Sequence, residues 1–445
     1  MLEDSITDLA SALHEVVDKI DTAIGRAALY GVTDLVTARF LASNSIELDF
    51  AAGYFRTGFT ARTEVGEVPG WAFTRASVAT LETSPGVVAH FAVDEARLIA
   101  GGLLVEPSRT NLVARSSDFS HGSWSKLSQG TGATPVVTAD AATAPDGTMT
   151  ADRIQLDLNA GTTSSDWSML NSAAVTTTAG QQLAGSVFVK GTAGQKIIFR
   201  HVGGGTYLTH IFSGAWERIG RVEAAAGSSG KMEIGLRGLA GITNAVTFDI
   251  WGAQLESGGN VTSFIPTAGS TVTRAADEPA VTDLAFSTPC TLVVEATYLG
   301  SGSDKETGER AIVSLAGPAD DDLISIANAD FGALQAEVSV GGTVTAESLS
   351  VGQAPAGDVQ RLALRIAPDG VRLARDGRLA NVDDDGAVPD LLTRLGLGFQ
   401  LGGAKQGNVL VGSAAILPLA LGDEQLRIAS GGGPYPDDER PTWIK

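Results

Sequence analysis

Hydrophobic and polar positions follow two rhythms along this chain. In the first thirty residues, Leu2, Ile6, Leu9, Leu13, Val16, Ile20, Ala23 and Ala27 recur at alternating gaps of four and three. That is a heptad seam, with Glu3, Asp4, Asp8, Glu15, Asp18, Lys19 and Asp21 between its positions. The spacing predicts a helix over 1–30, opened by Ser5 and ended by Gly31. Such a helix either packs on the chain's own body or joins copies as a short parallel coiled coil. In the second case Ile6, Leu9, Leu13, Val16 and Ile20 form the oligomerisation seam.

From Ile46 onward the rhythm shortens to alternation. Ile46-Glu47-Leu48-Asp49-Phe50, Lys196-Ile197-Ile198-Phe199-Arg200, Leu292-Val293-Val294-Glu295-Ala296 and Arg361-Leu362-Ala363-Leu364-Arg365-Ile366 read as strands. Turn signals separate them: Pro145-Asp146-Gly147, Gly203-Gly204-Gly205, Pro368-Asp369-Gly370 and Arg375-Asp376-Gly377. Short strands with regular turns predict a mainly β chain built of sandwiches or barrels behind the N-terminal helix.

Composition sharpens this picture. Glycine supplies 54 of 445 residues without a G-X-Y period, which suits tight turns and excludes collagen. An apolar fraction of 43 % supports packed cores. The one cysteine, Cys290, cannot form an intramolecular disulfide. The net charge of −20 argues against binding a nucleic-acid backbone. No apolar run approaches the roughly 18 residues of a membrane span, so membrane insertion is not expected. The acidic start, Met1-Leu2-Glu3-Asp4-Ser5, lacks the order of a secretory signal, and synthesis in a cytoplasm is the expectation.

At about 150 residues per domain, the length predicts two or three domains. Composition places a strand-bearing connecting region at 31–108 behind the helix of 1–30. Residues 109–275 hold four of the six tryptophans. Residues 276–445 are acidic, with 25 Asp+Glu against 12 Lys+Arg. Thr273-Arg274-Ala275-Ala276-Asp277-Glu278-Pro279 reads as a polar linker between the last two.

Several segments resemble a widespread group of bacteriophage tail and spike proteins. They are Phe73-Thr74-Arg75-Ala76-Ser77, the run from Gly102 through Glu106-Pro107-Ser108-Arg109-Thr110-Asn111 to Leu112, and Ser117-Asp118-Phe119 with Trp124. Pro145 to Arg153, Phe248 to Glu256 and Thr262-Ser263-Phe264-Ile265-Pro266-Thr267 complete the set. The resemblance implies a carbohydrate-binding jelly roll over 109–275. Looser similarity over Leu362–Leu373, Arg375–Leu379, Leu395–Leu401 and Ile416–Leu426 implies a concanavalin-like or laminin-G-like sandwich over 276–445. The acidic, arginine-leaning composition also resembles head spikes of phage-like gene transfer agents. The group implies a homotrimeric appendage on a virion surface, attached to other virion proteins through its N-terminal segment. Its implied partner is host surface polysaccharide, capsule or lipopolysaccharide, bound without enzymatic turnover.

Catalytic constellations are sparse. G-x-S-x-G, H-E-x-x-H and G-x-x-x-x-G-K-[ST] do not occur. A glycosidase pair needs two carboxyls roughly 5–9.5 Å apart in a cleft. Capsule depolymerase activity is therefore the alternative to binding alone, and a purely structural virion decoration is the third reading. His201 and His210 flank the Gly203–Gly205 turn, where they either approach each other or face solvent as ordinary strand histidines. The histidines lack helical i, i+4 spacing and Cys290 stands in an apolar strand, which argues against zinc; calcium is the candidate ion, since Asn381-Val382-Asp383-Asp384-Asp385-Gly386 begins like a calcium loop, with Asp383 and Asp385 as ligands. Leu392 stands where the closing glutamate should be, and Asp320-Asp321-Asp322 is the other acidic cluster.

Aromatic residues are the better lead. Sugars stack C–H faces on electron-rich rings and need polar groups for their hydroxyls. Trp251 alternates with apolar Phe248 and Ile250 and reads as core, Trp216 in Ala215-Trp216-Glu217-Arg218-Ile219 reads as structural, and Trp124 occupies a structural position of the resembled group. Trp167, in the polar stretch Ser164-Ser165-Asp166-Trp167-Ser168, is the candidate glycan platform. Arg200, Tyr207 and His210, on the hairpin at 195–212, are expected to share its groove.

Overall fold

Alternation becomes burial along the strands. Cys290–Tyr298 turns Cys290, Leu292, Val294, Ala296 and Tyr298 into a core, with Val293, Glu295 and Thr297 on its other face. The computed structural model describes residues 45–58, 60–202, 206–238, 242–299, 310–319, 321–328, 333–353, 357–383, 386–402 and 405–432. The predicted helix of 1–30 with its seam, together with Asp320, Asp384 and Asp385, lies outside the described residues. Over the described residues the chain is mainly β, with several sheets packed as sandwiches.

One sandwich draws on both ends of the described chain. Its ten-stranded sheet places Ile46–Asp49 and Gly102–Val105 on Val409–Leu417, which in turn pairs with Cys290–Tyr298. Its seven-stranded sheet pairs Trp71–Thr74 with Glu278–Val281. Strands from the region 31–108 thus lie in the same two sheets as those of 276–445. Leu48, Phe55, Leu103 and Val105 share a core with Leu292, Leu364, Leu395 and Ile416.

The second sandwich is inserted between Gly102–Val105 and Glu278–Val281. Ser125–Gln129, Trp167–Asn171, Ser229–Arg237, Lys196–Val202 and Leu208–Ile211 run in that order across one sheet, with Val175–Thr176 also on Ser229–Arg237. Val136–Ala142, Ala151–Asp157, Ala245–Ser257, Gln182–Gly191 and Glu217–Ala224 form the other. Trp124, Ile154, Leu170, Val187, Phe199, Ile234, Leu236, Phe248 and Leu255 fill the space between them.

The neck of the insertion is a short ladder, Arg109–Asn111 against Val272–Arg274, beside a buried ionic cluster. Asp277 accepts from Arg75 at 3.1 Å and from Arg97. Glu106 accepts from Arg97 at 2.6 Å and from Ser263 Oγ at 2.6 Å, with Arg274 at 3.4 Å. All five charged residues are buried, including Arg274 and Asp277 of the segment read as a linker. Burial alone would raise the Glu106 pKa, but the charges of Arg274 and Arg97 and the Ser263 bonds hold it well below the carboxylate range. Asn111 adds four bonds: its Nδ2 donates to the carbonyls of Ala253 and Ile265, and its Oδ1 accepts from the amides of Val113 and Leu255.

Each sheet of the inserted sandwich has an outer face, and the two differ. The five-stranded sheet's outer face is sealed. Phe188, Trp251 and Phe264 cluster there with Val88 of the hairpin Ala79–Ser84/Val87–Phe91. That hairpin is tied down by Thr80 Oγ1 donating to Phe264 O at 2.6 Å and Val88 N to Pro145 O at 2.9 Å. Its turn residue Gly86, at φ +72°, rests on Trp216, whose backbone and Cβ would lie within 2.5 Å of any added Cβ. Trp251, Trp216 and Trp124 are accordingly structural: their indoles donate to Thr150 Oγ1, Thr143 O and Arg115 O.

Candidate functional site

The outer face of the six-stranded sheet has a buried floor, with Ile198 0 % and Met169 4 % exposed, and half-buried side chains around it; the registers say which ones line it. Met232, Ile234 and Leu236 point into the core, so Lys231, Glu233, Gly235 and Arg237 point out. Ile197, Phe199 and buried His201 likewise leave Lys196, Ile198 and Arg200 outside. Asn171 lies opposite Glu233, which lies opposite Arg200. In the next row Met169 faces Gly235, which faces Ile198. In the third row Gln129 faces Trp167, which faces Arg237.

Two aromatic rings therefore sit on one face with cations beside them. Arg200 lies over the Tyr207 ring at 4.1 Å from its centroid, and Arg237 reaches the same ring at 5.6 Å. To do so Arg237 crosses the Met169–Gly235–Ile198 row. Its Nε donates to the Ser164 carbonyl at 2.6 Å, fastening the loop before Trp167. Asp166 anchors that loop by accepting from Thr163 N at 2.9 Å, Thr163 Oγ1 at 2.7 Å and Thr131 N at 3.0 Å. The Trp167 indole donates to Gln129 Oε1 at 2.7 Å, which fixes the ring's edge and leaves it half-buried.

Glu233 is the buried acid of the face. It accepts from Arg200, from Lys231 at 3.0 Å and from the Tyr207 hydroxyl at 3.2 Å. Burial would raise its pKa, but the bonds from Arg200 and Lys231 outweigh that and keep it ionised below the usual range. Burial, then the Glu233 charge, pushes the Tyr207 phenol up, so it stays protonated as a donor.

Of the four residues read as a groove, the structure gathers Trp167, Arg200 and Tyr207 on this face. His210 is turned to the other side of its strand. It pairs with core-facing Ile197, packs edge-on against Phe212 at 5.4 Å and places Nε2 3.1 Å from Glu217. The alternation of Leu208–Ile211 decides this: Tyr207, Thr209 and Ile211 fall on the outer side, Leu208 and His210 on the other. His201 neither faces solvent nor meets His210. It is fully buried four residues along from Ile197, its Nε2 2.9 Å from Leu183 O, and burial lowers its pKa to about 4. Sequence reading missed Arg237, Glu233 and Lys231, although the alternation Lys231-Met232-Glu233-Ile234-Gly235-Leu236-Arg237 carries the signal.

Of the acidic candidates for calcium, Asp321, Asp322 and Asp383 are among the described residues. Asp383 Oδ2 accepts from the Glu347 amide at 2.8 Å, and Asp322 Oδ1 from the Gly341 amide at 3.0 Å. Among the described residues no group of three or more His, Cys, Asp and Glu is placed to hold a metal ion. Cys290 is buried, and burial pushes its thiol up to about 12.

No protein-family model matches the sequence, and no curated protein does. Solved structures similar to parts of the chain include chicken galectin 2, at 11 % identity and a TM-score of 0.24, over 31 % of this chain and 96 % of that one. The CBM40 of a Ruminococcus gnavus IT-sialidase, bound to α2,3-sialyllactose, is similar over 34 % of this chain and 94 % of that one, at 13 % identity and a TM-score of 0.26. Domain 4 of AbnA, a GH43 extracellular arabinanase from Geobacillus stearothermophilus in complex with arabinotriose, is similar over 39 % and 82 %, at 12 % identity and a TM-score of 0.27.

Proposed function

We propose that the chain binds carbohydrate through the outer face of the six-stranded sheet, and that it does so as a non-enzymatic spike or fibre protein on a virion, adsorbing to host surface polysaccharide. The observation that carries the binding reading is the placement of half-buried Trp167 and Tyr207 on one face with Arg200 and Arg237, while the opposite face of the same sandwich is sealed. Half-buried rings offer stacking surface, and fixed donors around them suit hydroxyls. The virion setting and the trimer come from the sequence resemblance. A single shallow sugar site is weak, and copies joined through residues 1–30 would raise apparent affinity by effective concentration.

Retention of host cells or their purified polysaccharide by the full chain tests this reading. Trp167→Ala and Tyr207→Ala each should reduce retention about tenfold, or about 1.4 kcal/mol. Retention unchanged in both variants would remove the face from the account, and no retention of any glycan would favour a structural decoration. A reducing-end assay on the same polysaccharide checks the non-enzymatic part: sustained release of oligosaccharide would overturn it.

A further inference from the structure

We infer that this face selects acidic glycans, polymers whose sugars carry carboxylates, over neutral ones; the inference rests on the carbohydrate-binding reading above. The charge on the face runs against the charge of the molecule. The chain carries −20 overall, yet residues 109–275 hold 12 Lys+Arg and 11 Asp+Glu. Four of those cations, Lys196, Arg200, Lys231 and Arg237, point out from the outer face. The strands of that face contribute one outward acid among the described residues, Glu233, and it is already held by Arg200, Lys231 and the Tyr207 hydroxyl.

Arg237 and Lys196 are left over. Arg237 spends its Nε on Ser164 O and its flat side on Tyr207, and its two terminal nitrogens have no hydrogen-bond or ion-pair partner among the described residues. Lys196, two residues before Ile198 and so level with Arg237, has no ion-pair partner for its ammonium among the described residues. A guanidinium stacked on a ring with its outer edge unused is pre-organised for a bidentate carboxylate. The nearby loop 129–133 brings only Gly, Ala, Thr and Gln, and the loop 160–166 brings one acid, Asp166, whose carboxylate is already held by Thr163 and Thr131.

The overall negative charge does not cancel this preference. At physiological salt the screening length is about 8 Å, so a ligand on the face responds chiefly to the charges within that reach. The other sandwich offers a more acidic environment: Glu337 lies directly opposite Glu347 in its seven-stranded sheet, with Lys405 3.7 Å from Glu337. Two like charges across a strand pair repel an acidic chain, so it should stay on the inserted sandwich.

The test is an array of matched glycan pairs probed with the full chain: polygalacturonate against its methyl ester, hyaluronate against carboxyl-reduced hyaluronate, and sialyllactose against lactose. The acidic member of at least one pair should bind about tenfold more tightly, and rising ionic strength should erode that margin. Arg237→Gln should bring binding down to the level of the neutral member. Lys196→Gln, whose native ammonium supports nothing in the described fold, should narrow the margin with the melting temperature unchanged. Equal binding of both members, still abolished by Trp167→Ala, would overturn the acidic preference and leave carbohydrate binding standing. An acidic preference that survives both charge variants would place selection elsewhere and overturn the inference. No binding to any member would sink the carbohydrate reading along with it.

Discussion

His201 shows how far a single residue's environment departs from its place in the sequence. The Gly203–Gly205 turn next to it reads as surface, yet its ring is buried beneath Gly185, where an added Cβ would lie 2.6 Å from the imidazole. Burial lowers its pKa from 6.5 to about 4. Between those values the unfolded chain binds a proton that the folded chain refuses, so stability falls as pH falls through that window. The loss should reach roughly 3 kcal/mol near pH 4, read by denaturant melts from pH 7 to 4. His201→Gln should flatten the slope in that range, and an unchanged slope would assign it to other groups. Gly185→Ala should cost about 1–3 kcal/mol by driving the ring out of place. The place of this histidine on a strand was legible from the sequence. Its burial was not, because burial depends on the opposite sheet, which carries Leu183 and Gly185.

At the scale of elements, the turns were the easiest features to read. Asp376 and Gly377 both take positive φ between Gly370–Arg375 and Arg378–Asp383, as Arg375-Asp376-Gly377 predicts. Trp124 and Trp251 are buried as read, whereas Trp216, read with them, is half-buried like Trp167. His210 was misplaced because its neighbours Leu208 and Ile211 are both apolar, so the core side could not be told until Phe199 was seen opposite Leu208. The segments that carry the family resemblance have a role the sequence did not show. Arg75, Glu106, Ser263 and Asp277 meet in the buried cluster at the neck, so those motifs hold the inserted sandwich in place rather than touch a ligand. Arg97→Ala would strand Glu106 and Asp277 without a shared cation. Unfolding free energy should fall by about 3–5 kcal/mol, measured by denaturant titration, with glycan binding retained below the new midpoint.

For the whole molecule, the sequence conveyed a mainly β chain but not its connectivity. Ile46–Asp49 and Val409–Leu417 lie more than 350 residues apart yet share a ladder, and local patterning holds no record of a pairing at that distance. The insertion that results explains why the two faces of that sandwich differ. The leading hairpin covers the five-stranded sheet, whereas the six-stranded sheet keeps half-buried Trp167, Tyr207 and Arg237 around a floor of buried Met169 and Ile198. Molar mass in solution tests the oligomer expectation: the full chain should be trimeric and the chain lacking residues 1–30 monomeric, whereas equal masses would return that segment to a helix packed on its own chain. The most direct test of the central claim is the affinity of the full chain for host surface polysaccharide, compared with a Trp167→Ala/Tyr207→Ala double variant of equal melting temperature. Saturable binding by the native chain and at least about a tenfold loss in the variant are expected. Equal affinity of the two would contradict it.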